Sequence, residues 1–231
     1  SVRILMTKRI EKDFLGEVKI PEDAYYGITT ERVLQDFKIS GLNLNPKFLE
    51  AYIILKKACA LANMKIGRLD TKLGKAIVQG SDEILSGKLR DQFKVDVFQM
   101  GAGTSFNMNC NEVLANRANE ILGSKKGDYK PINPNDHVNM SQSTNDTFPT
   151  AMRIAILLKL KDLDPELKKL EKSFQEKATQ FDNIVKAGRT HLQDAVPIRL
   201  GQEFRAYSQT VSKSRRIIQT AGESCREIGI G

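Results

Sequence analysis

The sequence predicts a mainly α-helical protein, with a small N-terminal domain followed by the first long helices of a central bundle. Three observations lead there. Two stretches, from about Pro149 and from Pro197 onward, carry apolar residues at alternating spacings of four and three. Three earlier stretches open with a capping residue or a Gly-rich loop and close near Gly. Only the opening stretch, to about residue 45, mixes Gly, Pro and β-branched runs.

In that opening stretch, "GEVKIPEDAYYGITTERV" suits turns and a small hairpin. Helices follow in "NPKFLEAYIILKKACALANMKIG", in "DTKLGKAIVQGSDEILSGK" and, after a Gly-rich loop, in "NMNCNEVLANRANEILG". The connector "KKGDYKPINPNDHVN" is rich in Pro, Asn and Asp and reads as a domain boundary. Residues 1–145 are therefore expected to form an N-terminal, mostly helical domain, and 146–231 part of a helical bundle.

In the first long stretch Ile156, Leu160, Leu163, Leu167, Leu170 and Phe174 hold the stripe, which Ala178, Phe181 and Val185 prolong to about Gly188. Pro165 is expected to kink or restart that helix. "KAGRTHLQDAV" reads as a loop. After it, Pro197 suits a first helical turn, and Leu200, Phe204, Tyr207, Val211, Ser214, Ile218, Ala221, Cys225 and Ile228 repeat the spacing. Two antiparallel rods of roughly 45 Å cannot bury both seams against each other alone, since a bundle normally needs four or more helices. The remaining helices are expected from other subunits or from a longer protein of which this chain is the front part. Residues 1–5 precede Met6 and are expected to contribute little to the fold.

Composition narrows the function classes. The chain has 231 residues, 40% of them hydrophobic, with a formal net charge of +8. No run approaches the ~20 apolar residues of a membrane span, and the first residues lack the apolar centre of a secretion signal, so no membrane partner and a cytoplasmic location are expected. The basic residues alternate with acids, as in "LKDLDPELKKLEKSFQEK", which describes solvated helix faces and argues against nucleic acid. Cys59, Cys110 and Cys225 form no CxxC pair, so neither a disulfide framework nor a metal site is expected.

Three segments concentrate uncharged polar groups: "QMGAGTSFNMN" (99–109), "NMSQSTND" (139–146) and "KAGRTHLQDAVP" (186–197). From Asn139 to Thr147, nine residues include six Ser, Thr and Asn. A helix cap by Asp146 or Thr147 explains one or two of them. Ser141, Ser143, Thr144 and Asn145 remain to be explained. Gly101 and Gly103 serve a turn, or present backbone amides to an anion at a helix start; no GK[ST] follows, so the loop is not a nucleotide-phosphate loop. Of the two histidines, His137 reads as a structural hydrogen-bonder, while His191 sits among Arg189, Thr190, Gln193 and Asp194 in a polar loop that suits either a structural or a catalytic role.

Together, "GAGTSFNMNCNEVLANRANEILG", "NPNDHVNMSQSTNDTFPTAMRIA" and "GRTHLQDAVPIRLGQEF" resemble the aspartase/fumarase superfamily, in a match that begins at "EKDFLGEVKIPEDAYYG". Within it, "AYYG", "GAGTS" and "KKGDYKPINPND" resemble the aspartase branch, whereas fumarases more typically carry "GSGT", "SQSSND" and a His where Asn133 stands. "GRTHLQDA" is shared by both. The resemblance implies a homotetramer whose central bundle takes helices from every subunit, with active sites shared between subunits. It implies reversible anti β-elimination of ammonia from L-aspartate to fumarate, without an organic cofactor. By match to the family's motifs, Thr104, Ser143 and Thr144 would hold the carboxylate that becomes the aci-anion, Asn145 and His191 would contact the amino group, and Thr190 the other carboxylate. His191 is the catalytic candidate in this chain. The family's serine loop, of the form GSSxMPxKxNP, is absent, so the chain is expected to be a portion that does not turn over substrate by itself. The alternatives are a fumarate hydratase and a non-catalytic helical oligomerisation module.

Overall fold

A computed structural model describes residues 7–230, so the expectation for residues 1–5 lies outside the described residues. The chain divides into two compact units, one running to Ala155 and joined by the residues from Ile228, the other Ile156–Glu227. The division falls ten residues beyond the 145/146 boundary read from the sequence.

The first unit opens with an antiparallel hairpin, β1 (Lys8–Asp13) and β2 (Gly16–Pro21), in register Lys8↔Pro21 to Asp13↔Gly16. Helices α1 (Ile28–Asp36), α2 (Pro46–Lys65), α3 (Thr71–Leu85) and α4 (Thr104–Ile121) follow. Their starts are chemically specified. Asn45 and Asp70 accept from the first amides of α2 and α3, and Pro46 occupies a position whose N–H would be orphaned anyway. The start of α1 is capped from a distance: the fully buried Glu112 of α4 accepts from the Gly27, Thr29 and Thr30 amides and from Thr30 Oγ1 at 2.6–3.1 Å.

The core joins aliphatic side chains such as Ile53, Ile77, Ile84, Val113 and Leu114 to an aromatic cluster of Phe48, Tyr52, Phe106 and Phe148. α4 lies in the middle and is buried on nearly all sides, including its asparagines. Those amides tie down loops. Asn109 donates to Gln92 O, Asn116 bridges Tyr25 O and Gly127 N, and Asn119 pairs with both the N–H and the C=O of Ile132. The connector after α4 is thus pinned at Gly127 and Ile132, and it ends in a single π-helical turn, Pro134–Val138. His137 Nδ1 accepts from Asn133 N at 2.9 Å within that turn, in the structural role its position suggested.

α5 (Thr144–Gln180) begins in the first unit and continues into the second as one helix through Pro165. In the second unit, hairpin β3 (Val185–Thr190) and β4 (Gln193–Arg199) precedes α6 (Leu200–Ser224). This corrects the sequence reading in two places. The first long helix spans Thr144–Gln180, not Pro149–Gly188, and the expected loop is a hairpin that takes Val185 and Pro197 out of helix and into strands. The apolar spacing continued through Val185 by coincidence. The β-branched Val185, Thr190, Val196 and Ile198, with Gly188 at a register shift, carried the stronger signal.

The two rods are antiparallel, as expected: Ser208 Oγ donates to Glu171 O, Arg215 pairs with Asp164, and Gly222 faces Leu160. The row of α6 closest to α5 is Gly201, Ser208 and Gly222, small residues between the apolar positions of the stripe. A Cβ at Gly201 would overlap Ala178 O and the Asp182 backbone, so only glycine allows this approach. Phe174 and Phe181 meet Phe204 and Tyr207. One heptad row of α5, Ile156, Leu163 and Leu170, stays 43–45% exposed. Among the described residues no helix is long and apolar enough to cross a membrane.

Candidate functional site

Two of the three polar segments meet in the first unit. The Gly-rich loop turns through Gly101 (φ 58°) and Gly103 (φ 89°), both left-handed, and delivers Thr104 as the first residue of α4. Glycine is required at 103 because an added Cβ would fall inside the Phe148 ring, which belongs to the first turns of α5. The two helix starts are therefore locked side by side. Between them lies a cleft of about 490 Å³ lined by Val97, Gly101, Gly103, Asn145, Phe148 and Met152, among others.

Of the expected site residues, Asn145 lines this cleft and is exposed. Thr104 follows the lining residue Gly103, and Ser143 and Thr144 precede Asn145 in the chain. Ser143, not Asp146 or Thr147, starts α5: its carbonyl accepts from the Asp146 and Thr147 amides at 3.1 and 3.0 Å. Thr147 faces inward instead, fully buried, with its Oγ1 2.9 Å from the Tyr52 hydroxyl. Thr190 and His191 come together in the second unit, at the tip of the β3–β4 hairpin, and both are exposed. The tip is strained, since His191 (φ 49°) and Leu192 (φ 59°) both take the left-handed conformation that a two-residue turn demands and glycine or asparagine would adopt more cheaply.

The density of small polar residues now divides into two groups. Asn139, Gln142 and Thr147 form the foundation. Asn139 accepts from Asn107 Nδ2 at 3.2 Å and donates to Gln142 O, while the Gln142 amide donates to Val138 O and Met140 O. Beneath them lies Lys56 of α2, wholly buried, with Nζ 2.9 Å from both Asn139 Oδ1 and Gln142 Oε1. The sequence reading missed Lys56, Tyr52, Asn139 and Gln142. The second group, Ser143, Thr144 and Asn145, stands at the N-terminus of a 37-residue helix, where backbone amides and the helix dipole favour an anion. Ser141, in the left-handed conformation at φ 59°, makes the turn between the groups.

Electrostatics accentuate the arrangement. Burial pushes the Lys56 ammonium down to about 8, and pushes the Tyr52 hydroxyl and the Cys110 thiol up. Among the described residues no group of three or more His, Cys, Asp or Glu is placed to hold a metal ion.

Comparison with known proteins places this geometry. A family model described as a lyase matches residues 16–229. An aspartate ammonia-lyase of a Bacillus species is 52% identical over 223 residues, covering 96% of this chain and 48% of that protein. A class II fumarate hydratase of Halobacterium salinarum is 48% identical over 224 residues, covering 96% of this chain and 47% of its own length. Among solved structures, a fumarate lyase:delta crystallin from Brucella melitensis superposes with a TM-score of 0.93 at 48% identity, over 97% of this chain and 53% of that one. The chain spans about half the length of the curated relatives it matches.

Proposed function

The chain belongs to this lyase family, matched over residues 16–229, and from that premise we propose that it is the N-terminal portion of an enzyme that reversibly eliminates ammonia from L-aspartate to give fumarate. The observation that carries the reading is the pairing of two helix starts, at Thr104 and at Ser143–Asn145, around one cleft.

The chemistry needs such a site. A base takes a proton from the carbon next to a carboxylate, and the released electron pair moves into that carboxylate, which becomes a doubly charged aci-anion. The pair then returns to form the carbon–carbon double bond as the carbon–nitrogen bond breaks and ammonia leaves with its own electrons. The intermediate is reached at lower cost when donors already point at the oxygens where charge grows. Thr104, Ser143 and Thr144 supply hydroxyls, and the α4 and α5 starts supply amides, donors whose bonds strengthen as charge grows on the oxygens. In this reading Asn145 contacts the amino group, and the β3–β4 hairpin tip contributes His191 to the amino group and Thr190 to the second carboxylate of a site shared between subunits. The base comes from a segment outside this chain, and the portion described here is inactive by itself.

A homotetramer with sites shared between subunits accords with the exposed row Ile156, Leu163 and Leu170. Left in water, that row and the exposed Tyr207 and Ile217 of α6 present apolar side chains of the kind that association covers. Sedimentation of this chain at micromolar concentration is expected to give oligomers or aggregate, and a well-behaved monomer would contradict the shared bundle.

Hydration of fumarate is the second reading, favoured by the similarity to class II fumarate hydratases, and it passes through the same kind of aci-anion. The test is a substrate panel on the full-length enzyme. Fumarate release from L-aspartate well above that from L-malate supports the ammonia-lyase. The reverse order selects the hydratase, and no turnover of either leaves the helical oligomerisation module.

A further inference from the structure

Lys56 lies beneath the Asn139–Gln142 turn, and the proposed reaction does not use it. It is fully buried on α2, and both of its acceptors, Asn139 Oδ1 and Gln142 Oε1, are neutral amide oxygens. A buried ammonium held only by amides has given up water without gaining a counter-charge. The ionisable groups facing it are Tyr52 and Cys59 of its own helix and Cys110 of α4. Burial pushes all three up, so none of them supplies an anion near neutral pH. Here the π-helical turn and the turn after it present the Val138 and Met140 carbonyls and the Asn139 and Gln142 side-chain amides. The two acceptors of Lys56 bracket the turn closed by Gln142 N and Asn139 O, and the next residue is Ser143.

Resting on the carboxylate site proposed above, we propose that Lys56 is the resident counter-charge of that site, a positioning residue acting through Asn139 and Gln142, and that a dicarboxylate bound at Ser143–Asn145 draws a proton onto it. The geometry makes the coupling direct. An anion at the start of α5 lies one residue beyond the Gln142 amide that Lys56 holds. Ser143 and Asn145 are exposed, while the Lys56 ammonium beneath the turn is fully buried, so its own charge is weakly screened. Protonated Lys56 fixes the Asn139 and Gln142 oxygens and so the turn that aims Ser143. Neutral Lys56 still has an N–H for each oxygen, but without the charge both bonds weaken and the turn loosens.

The test is calorimetric titration of the full-length enzyme with succinate, a saturated dicarboxylate that cannot undergo elimination, at pH 8 in two buffers of different ionisation enthalpy. A lysine titrating near 8 is about half protonated there, and a rise of about one unit on anion binding corresponds to uptake of roughly 0.4 proton per site. Lys56→Met should abolish that uptake and weaken succinate about tenfold. Lys56→Arg keeps the charge but cannot exchange the proton, so it should abolish uptake with affinity near the original; it also serves if the Met variant does not fold. Uptake that persists in either variant overturns the proposal. Ser143→Ala separates this from failure of the site itself: if it weakens succinate while the Lys56 variants still take up protons, the carboxylate site stands and Lys56 is structural only. Unchanged affinity in Ser143→Ala, or no binding of succinate to the unaltered enzyme, overturns both.

Discussion

Gly103→Ala is expected to destabilise the first unit by about 2–5 kcal/mol and to impair any ligand binding in the cleft. Two costs combine. At φ 89° a residue with a Cβ pays for a left-handed backbone, and the new carbon would overlap the Phe148 ring, which is already packed against Phe48 at 4.8 Å between centroids. The ring cannot simply retreat, so α5 must shift relative to the Gly-rich loop and Asn145 with it. Gly101→Ala is the internal control. It has a similar backbone (φ 58°), but its Cβ would meet only Thr104 Oγ1 at 3.1 Å, so its loss should be about 1 kcal/mol. Urea unfolding of the two variants, with Gly103→Ala repeated in a Phe148→Ala background, checks the steric part. The double variant should recover what the clash costs. Equal small losses at 101 and 103 would mean that the two helix starts are not locked together.

The second large effect is expected at the hairpin tip. In the full-length enzyme His191→Ala should reduce kcat/KM tenfold to a thousandfold, roughly 1.4–4 kcal/mol of transition-state stabilisation, with folding and assembly intact. The competing role, bracing the loop, has less to work with than the sequence suggested. Asp194 pairs with Arg189 at 3.6 Å, and the His191 ring is exposed beside the 97% exposed Leu192. Strain held at an exposed, non-glycine turn is expected where the side chain is needed for something other than stability. Near-normal kcat/KM with a lowered melting temperature would remove His191 from the site.

How much of this was legible depended on which signals are local. Caps and turn residues marked α2, α3 and α4 to within a few residues, because Asn45, Asp70 and the Gly-rich loop act on their immediate neighbours. The opening hairpin lies slightly earlier than the stretch that suggested it. The β3–β4 hairpin was hidden by an apolar spacing that ran on through Phe181 and Val185, and no local rule says where such a stripe stops being helical. The contact row Gly201, Ser208 and Gly222 was hidden for a related reason: small residues carry no hydropathy, yet they are what lets two helices approach closely. At the site, the sequence could mark "SQSTND" as unusual but not say which of its residues face inward. That depends on Lys56 and Tyr52, some 90 positions earlier, and in "ILKKACALAN" Lys56 looks like a solvated residue no different from Lys57.

The central claim is that Ser143 and Thr144 grip a carboxylate more tightly as it becomes the aci-anion than they grip it at rest. The direct measurement compares two ligands of the full-length enzyme, succinate and a nitronate analogue whose charge is already on the oxygens, in the unaltered protein and in Ser143→Ala and Thr144→Val. The account predicts that each substitution weakens the nitronate at least about tenfold more than it weakens succinate, since donors that act in the transition state discriminate by the charge they meet. Equal losses for the two ligands would contradict it, because the cluster would then be a binding surface for the ground state and not the part of the site that lowers the barrier.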